Sequence, residues 1–409
     1  MTTLRTTDAH IPPTKIERGD PRYRAVVDKR FNKRFSASPD YVRLVDSIGQ
    51  VSVAVEEAVS EGRRVVVTSG GHCLEGFVSD PDVRVIVDVS PMKRIYYDAD
   101  RRAVAVEAGV TVGEAFRALF ETWGTVIPLG EYPGIGMGGH VVGGAFGFLC
   151  RQLGLAADYL YAVEGVTVND SGRARSVVAT REMNDPNRDL WWAHTGAGGG
   201  NYGVVTRYWF RSPGAASEDP TTLLPRAPDS ITTFRMEWDW SRIDRTSFLR
   251  LLGNNGVWHE RNSGADSPHA SLWTLLEIHR KQFGKIIFRG VSTAGDAAER
   301  QIDACLIACG DGVPAPGGRE LSRMSWLEFA LNPFPDLFAE TGGVPVPGGA
   351  YDGALINHPD TDLADAAWNT SGVPWSTLYY QDNYARLQQI KARWDPRNVF
   401  RHALSIRGG

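Results

Sequence analysis

The sequence predicts an α+β protein whose two halves are built differently. Up to about residue 212, short strands and helices follow one another in the order strand, helix, strand, strand, which is not a repeated strand–helix–strand unit. A stretch rich in glycine, proline and serine follows at 212–217 and indicates a boundary. Residues 232–240 then alternate with a period of two, the pattern of an antiparallel strand.

Hydrophobic periodicity defines the elements of the first half. Residues 41–62 are predicted as a helix after an Asp40 cap, because valine and isoleucine recur there at helical spacing. A second helix is predicted over 111–123 with Thr111 as its cap. Short β-branched runs predict the strands of this half, at 65–67, 83–87, 103–107, 159–169 and 203–211.

The second half is predicted as one antiparallel sheet with helices on one face. Residues 272–279 and 285–291 are expected to form a hairpin beside the strand at 232–240. A helix is predicted at 296–309, and an amphipathic helix at 384–394 comes close to the end of the chain.

Composition narrows the function classes. The 409 residues are enough for two domains with cores of their own. A formal net charge of −4 argues against nucleic acid as a partner, and no apolar run approaches the roughly 20 residues of a membrane span. Residues 1–18 are polar and lack an apolar signal core, so we expect a cytoplasmic protein or a trimmed mature form. Cys305 and Cys309 have the spacing of buried helix thiols, and no metal site is predicted.

Three glycine clusters in the first half are the strongest functional signal. The first, 69–72, reads Ser-Gly-Gly-His and follows a β-branched run; the others lie at 136–144 and 196–203. Glycines let the backbone approach a phosphate closely, so three clusters predict a long, extended ligand such as a dinucleotide. None opens a βαβ unit followed about 20 residues later by a ribose-binding acid, so a Rossmann NAD protein is not favoured.

Four sequence motifs are distributed over nearly the whole chain. They are the turn at 69–72, Gly-x-Gly-Gly-His at 136–140, the run from Asp-Leu-Trp-Trp to Gly-Val-Val-Thr at 189–206, and the tail at 383–400. In these motifs the chain resembles the berberine-bridge-enzyme-like FAD-linked oxidoreductases of the vanillyl-alcohol-oxidase superfamily, on the branch of bacterial sugar and natural-product oxidases.

The resemblance implies an α+β fold with an FAD-binding domain in two parts. These parts are residues 1–212 and the C-terminal return at 375–409, and an antiparallel-sheet substrate domain is inserted at 213–374. Family members have a longer substrate domain, so this one is expected to be shortened near 334–342.

The resemblance also implies how FAD is held. The histidine of the first motif, here His72, is joined to the 8α carbon of the flavin in this family. Many members add a thioether from a cysteine eight residues before the histidine of the second motif, but that position is Tyr132 here, so one covalent link is expected. The other residues expected to bind the cofactor are Thr68, Ser69, Gly70, Gly71, Gly136, Gly138, Gly139, His140, Gly143, Gly144, Gly203, Val205, Asn383 and Asn398.

The implied reaction is the oxidation of an alcohol of a sugar or natural product. By the resemblance, Tyr379 takes the proton from the substrate hydroxyl, hydride passes to the flavin, and molecular oxygen reoxidises the flavin to give hydrogen peroxide. Tyr380 is its neighbour and, on a strand, would face away. Since a phenol is a poor base at neutral pH, a nearby group must lower its pKa. Phe146 replaces a tyrosine of the family, and Asn357, with Asp360 three residues further on, is expected to line the substrate pocket.

Two alternatives stay open from the sequence. Ile135 occupies the position that controls oxygen access in the family, so the protein could be a dehydrogenase that uses another electron acceptor. The loss of a phenol at Phe146 and the shortened domain would also suit a flavin- or ligand-binding protein without turnover.

Overall fold

The structure, a computed structural model, describes residues 12–215, 217–264, 266–279, 281–331 and 354–408. Its strands are β1 (Thr14–Glu17), β2 (Tyr41–Leu44), β3 (Val65–Thr68), β4 (Val85–Asp88), β5 (Ile95–Asp98), β6 (Ala103–Glu107), β7 (Leu160–Val168), β8 (Ala174–Thr180), β9 (Val204–Phe210), β10 (Ser230–Asp239), β11 (Leu272–Ile278), β12 (Lys285–Ser292) and β13 (Glu320–Ser325). Its α-helices are α1 (Tyr23–Val27), α2 (Ile48–Ser60), α3 (Val112–Trp123), α4 (Met137–His140), α5 (Cys150–Leu153), α6 (Arg188–Ala193), α7 (Arg245–Arg261), α8 (Ala298–Gly310), α9 (Trp326–Leu331), α10 (Trp375–Tyr380) and α11 (Tyr384–Trp394). Among the described helices, none is both long enough and apolar enough to cross a membrane.

The first half contains two sheets with a helix between them. One sheet has the order β1-β2-β4-β3, and its last three strands run parallel. The other has the order β5-β6-β9-β7-β8 and is antiparallel throughout. Helix α2 buries Val51 and Val55 in a core to which Val85 of the first sheet and Val166 of the second also belong. The mixed helix-and-sheet class predicted from the sequence is confirmed.

The helix predicted at 41–62 is wrong over its first residues. Residues 41–44 form β2, which pairs on one side with β1 and on the other with β4, so sheet pairing outweighs their helical periodicity. The helix begins at Ile48, and the side chain of Ser47, not Asp40, caps it. The cap predicted at Thr111 is confirmed, where a capping box with Glu114 satisfies backbone donors at both ends of the first turn.

The second half contains an antiparallel sheet with the order β11-β12-β10-β13. The predicted hairpin is confirmed as β11 paired with β12, and α8 packs Ile302 and Cys305 against Phe288 of the sheet. Cys305 and Cys309 are buried thiols as predicted, and the described residues include no cluster of side chains that could hold a metal ion.

The segment with Tyr379 and Tyr380 is a helix, α10, and not the strand that the sequence analysis assumed. Neighbours on a helix point about 100° apart rather than to opposite faces, so the two phenols stay close, with ring centroids 6.1 Å apart. The expected shortening near 334–342 lies outside the described residues, and the division at 212–213 and 374–375 stays a prediction.

Helix α11 brings the C-terminal segment back to the first half. The Lys391 side chain is 1% exposed, and its ammonium donates to the Asn201 carbonyl at 2.7 Å, the Phe400 carbonyl at 2.5 Å and the Asp395 carboxylate at 2.6 Å. The same carboxylate accepts from the backbone N–H of Phe400 at 2.9 Å. One buried cation therefore joins the last helix, the chain after it and the third glycine cluster.

We expect Lys391→Met to destabilise the protein by about 3–5 kcal/mol, because it leaves a buried carboxylate and two carbonyls without their cation. Arg393→Met is the matched control on the same helix. Its partner Asp189 is at the surface and the arginine side chain is 51% exposed, so that loss should stay below about 1 kcal/mol. Urea unfolding of both variants measures the difference, and equal midpoints would contradict the assignment.

Candidate active site

The three glycine clusters lie together in space. A Cβ on Gly70 would collide with the backbone nitrogen of Gly136, and a Cβ on Gly136 would collide with Gly70 in return. The third cluster joins the second where the Gly198 N–H donates to the Val142 carbonyl at 2.8 Å. Clusters that are far apart in sequence therefore pack directly against one another, backbone to backbone.

The first cluster is a turn that presents backbone donors. The Ser69 hydroxyl donates to the Ala108 carbonyl at 2.6 Å, and Gly71 has the left-handed φ of +75° that the turn requires. Within the described residues, the N–H groups of Gly70, Gly71 and His72 meet no protein acceptor. Successive free N–H groups in a turn attract an anion such as a phosphate.

Arg30 is a buried cation beside this turn, and sequence reasoning missed it. The residue is 9% exposed, and one guanidinium nitrogen donates to the Thr68 hydroxyl and to the Lys29 carbonyl, both at 3.1 Å. Its Nε and second terminal nitrogen are buried without a described partner. Burial lowers the pKa of Arg30. Since an unpaired buried cation is costly, the arrangement fits an anion bound at the turn.

His72 follows the turn, and its imidazole packs in a cluster with the rings of Phe31 and Tyr132, which also contact each other at 6.2 Å. Phe31 stacks on it with ring centroids 5.0 Å apart, and Tyr132 lies at 4.9 Å. Burial, and then the charge of Lys29, lowers the pKa of His72 to about 4, so the ring is neutral at physiological pH. A Cβ on Gly134 would lie 3.0 Å from its Nε2. A neutral imidazole has a nitrogen lone pair that can bond to an electrophilic carbon.

Cys73 and Cys150 are not in the ionised state that a second covalent link, from a cysteine to the flavin, would require. Burial raises the pKa of Cys73 to about 11 and also raises the pKa of Cys150, so both are protonated thiols at neutral pH. Tyr132, at the position where the family can carry a cysteine, is 46% exposed and packs against the His72 ring.

His140 and Asn357 fix the second cluster. His140 Nε2 accepts from the Gly130 N–H at 2.8 Å, and burial lowers its pKa to about 4, so the ring is neutral. The Asn357 side chain donates to the His140 carbonyl at 3.0 Å and accepts from the Ala145 N–H at 3.1 Å. Asn357 thus clamps a turn in which Ala145 has a positive φ, and its predicted contact with substrate stays a prediction.

The two tyrosines of α10 make different hydrogen bonds. The Tyr379 hydroxyl accepts from the Asp360 N–H at 2.8 Å. Burial raises the pKa of Tyr379 to about 12, and the charges of Asp360 and Glu75 also favour the neutral phenol. Tyr380 is buried, its hydroxyl donates to the Ala197 carbonyl at 2.9 Å, and burial raises its pKa further. A tyrosine that acts as a base requires a lowered phenol pKa, and neither Tyr379 nor Tyr380 has one.

The other predicted cofactor residues fall into two groups. Gly138 accepts the Tyr208 hydroxyl at 2.8 Å, and Gly203, with φ +150°, would bring a Cβ into the Val166 carbonyl. These positions are packed against neighbouring segments, as are Gly143 and Val205. Gly144 has a positive φ, and Gly139 is exposed with nothing within 4 Å of a Cβ. Asn383 and Asn398 are exposed on the C-terminal segment and make no described hydrogen bond to the three clusters, so their assignment stays a prediction.

A buried charge network links this site to the antiparallel sheet. Arg289 of β12 donates to the Glu131 carboxylate at 3.1 Å and to Glu277 at 2.6 Å, and His279 lies 3.4 Å from Glu277. Burial raises the pKa of Glu131. Because Glu131 precedes Tyr132 directly, the network fixes the loop beside His72. The four residues come from three separate segments, so no sequence pattern could show them together.

Comparisons with known proteins identify the class. Residues 39–176 match the family described as FAD binding domain, and residues 354–407 match the one described as berberine and berberine like. The aclacinomycin-N/aclacinomycin-A oxidase of Streptomyces galilaeus is 41% identical over 487 aligned residues, covering 96% of this chain and 89% of that protein. The chain belongs to the berberine-bridge-enzyme-like FAD-linked oxidoreductases, which confirms the family resemblance and the FAD-binding fold.

Solved structures agree with this assignment. An aclacinomycin oxidoreductase matches with a TM-score of 0.92 and 40% identity, covering 98% of this chain and all of that one. A glycopeptide hexose oxidase, crystallised with teicoplanin, matches with a TM-score of 0.90 and 39% identity over 97% of this chain and 99% of that one. The alignment with the Streptomyces oxidase is longer than the 409 residues present here, so that relative carries segments that this chain lacks.

We expect Gly70→Ala to disrupt the site through its Cβ, which would collide with the backbone of Gly136. Gly256→Ala, in α7 of the second half, is the control, since nothing lies within 4 Å of a Cβ there. The measurement is thermal unfolding together with FAD content after purification. A Gly70→Ala protein as stable and as flavin-loaded as Gly256→Ala would contradict the close contact.

Proposed function

We propose that this protein is an FAD-dependent oxidase that converts an alcohol of a sugar or natural product into a carbonyl compound, with molecular oxygen as the final electron acceptor. The observation that carries the proposal is the neutral His72 imidazole at the end of the turn with free N–H donors, packed against the rings of Phe31 and Tyr132. This is the chemical state that covalent attachment of a flavin requires. The names of the relatives, which are oxidases of sugars or natural products, support the substrate class.

The residues present fit FAD. The N–H groups of the 69–72 turn and the Arg30 guanidinium would provide donors and positive charge for the pyrophosphate. Gly139 and Gly199, which are exposed in the second and third clusters, leave room there for an extended cofactor. His72 would hold the flavin ring through one covalent bond, and Tyr132 leaves no second one. Bound FAD supplies a two-electron acceptor that oxygen can restore.

The protein's own part in the reaction is to position the substrate hydroxyl and to accept its proton. The Glu131–Arg289–Glu277 network fixes the loop beside His72 against the antiparallel sheet. Asn357 clamps the turn that precedes Phe146. Tyr379, the base predicted from the sequence, stays a prediction.

The test of the proposed function is reduction of the bound flavin by substrate. Purified protein is mixed anaerobically with a panel of sugars and glycosylated natural products, and the flavin absorbance is followed. We expect bleaching by a hydroxylated compound, and then one equivalent of hydrogen peroxide when oxygen is admitted. Bleaching without peroxide would indicate a dehydrogenase, and no bleaching by any compound would contradict enzymatic oxidation.

We expect FAD to be attached through His72 alone. After acid precipitation the yellow colour should stay with the wild-type protein and be released from His72→Ala, which should still bind FAD non-covalently in the preformed site. Cys73→Ser and Cys150→Ser are controls and should retain the covalent flavin. Mass spectrometry of the digested protein checks the link, and a flavin peptide joined through cysteine would overturn it.

We expect Arg30→Met to weaken FAD binding about tenfold or more, the size of a charge-assisted hydrogen bond of roughly 1.5–3 kcal/mol. The stability of the FAD-free protein should stay equal or rise, because a desolvated cation with two unpartnered nitrogens is removed. FAD affinity is measured by titration in the His72→Ala background, with the exposed Arg34→Met as control. A fall in FAD-free stability with unchanged affinity would make Arg30 purely structural.

A further inference from the structure

We propose that the protein binds a neutral sugar unit in a cleft at the boundary between its two halves. The cleft is lined by Leu155, Ala157, Asp158, Arg181, Trp191, Thr195, Pro213 and Gly214. None of these residues belongs to the set that would hold FAD or take part in the oxidation. The inference goes beyond the proposed function and does not depend on it.

The cleft has the size of a small-molecule site. Its volume is about 420 Å³, and pockets that bind small molecules have volumes of roughly 300–1,000 Å³ and often lie where two domains meet. Its walls come from the turn at 155–158, from Arg181 after β8, from α6, and from the boundary segment at 213–214. Segments that are distant in sequence therefore enclose one space.

The cleft adjoins the second glycine cluster. A Cβ on Gly144 would lie 3.7 Å from the side chain of Leu155 and 3.8 Å from the Thr195 carbonyl, and both of these residues line the cleft. A ligand in the cleft would thus lie beside the segment that leads from the second cluster into the first turns of the next element.

Arg181 gives the cleft a positive wall. Its terminal nitrogens donate to the Arg211 carbonyl at 3.4 Å and to the Ser212 carbonyl at 3.1 Å, which fixes the plane of the guanidinium. Among the described residues no carboxylate forms an ion pair with it, and its Nε makes no hydrogen bond. Since a guanidinium carries five N–H donors, several remain for the oxygen atoms of a ligand.

Asp158 and Thr195 give the cleft its acceptors. One carboxylate oxygen of Asp158 accepts from the Leu155 N–H at 2.7 Å, which fixes the side chain, and the other makes no hydrogen bond within the described residues. The Thr195 hydroxyl donates to the Trp192 carbonyl at 2.7 Å, so its oxygen can accept a hydrogen bond from a ligand.

Trp191 gives the cleft an aromatic surface whose orientation is fixed. Its indole N–H donates to the Leu160 carbonyl at 3.0 Å, and the Arg188 guanidinium lies 5.5 Å from the ring centroid. Arg188 is itself held by a hydrogen bond from its Nε to the Arg181 carbonyl at 3.1 Å. A rigid indole is suited to pack against the C–H face of a sugar ring.

The two opposite charges select a neutral, hydroxylated ligand. An anion would be attracted by Arg181 and repelled by Asp158, and a cation would meet the reverse. An apolar ligand would leave the donors of Arg181 and the acceptor of Asp158 unpaired, which costs binding free energy. A sugar hydroxyl can donate to Asp158 while another sugar oxygen accepts from Arg181, and the C–H face of the ring is left for Trp191.

The test is saturation-transfer NMR on the FAD-loaded protein with methyl glucoside and methyl rhamnoside as probes. We expect wild type to bind a neutral glycoside with a millimolar dissociation constant. Arg181→Met and Asp158→Ala should each weaken binding about tenfold, the size of a hydrogen bond to a charged group. Arg173→Met is the control, because this arginine of the same half is 76% exposed and lies outside the cleft, and its binding should equal that of wild type.

Trp191→Phe and Trp191→Leu form a matched pair. Both lose the hydrogen bond to Leu160, but only phenylalanine keeps an aromatic face, so Trp191→Phe should bind the glycoside more tightly than Trp191→Leu. Thermal unfolding of each variant checks that the folded protein is compared. Equal binding by the two variants would contradict an aromatic contact with the sugar.

Charged analogues test the ligand class. Glucuronate and glucosamine should bind more weakly than the neutral glycoside, and tighter binding of either one overturns the inference. Glycoside binding that is unchanged in the Arg181 and Asp158 variants lies elsewhere in the protein and also overturns it, as does the absence of binding. Since no turnover is measured, a protein that oxidises no alcohol but binds the glycoside in the cleft contradicts the proposed function alone.

Discussion

The contact between the backbones of Gly70 and Gly136 is the constraint on which the rest of the site depends. Neither position tolerates a Cβ, so the turn after β3 and the loop before α4 can meet only as glycine against glycine. That meeting sets the free donors of 69–72 beside the surface of the second cluster and carries His72 to Tyr132. Glycine loses more conformational entropy on folding than other residues do. At these two positions that cost is offset because the two backbones can come close enough to form the turn with its free N–H groups.

Two polar side chains from distant segments contact the region around these glycines. Asn357 reaches it from a segment more than 200 residues further along the chain, and Arg289 reaches it from the antiparallel sheet. Both use polar groups with little exposure to solvent, where a hydrogen bond is strengthened and an unmade one is costly. The two halves are therefore joined by specific pairs, in addition to apolar packing, and these pairs fix the loop at Glu131 and the segment at Asn357 relative to each other's partners.

The sequence predicted what is encoded locally and missed what depends on assembly. The glycine turn, His72 and the Thr111 cap are contiguous signals, and the structure contains the turn and the cap as predicted. Strand β2 was missed because its neighbours in the sheet, not its own periodicity, decide its conformation. Arg30 lies in a stretch with several basic residues, and only tertiary burial distinguishes it from them.

The buried Lys391 has a consequence for how the molecule is made. Its ammonium supplies a partner to the Asn201 carbonyl in the third cluster and to a carboxylate that is itself nearly inaccessible. A ribosome that has translated the first half has thus produced the turn, the imidazole and all three glycine clusters, but not the cation that secures the third. The contacts of the third cluster are therefore complete only when the last helix has been synthesised. A chain that ends before this helix would leave the Asn201 carbonyl without the buried cation that bonds it.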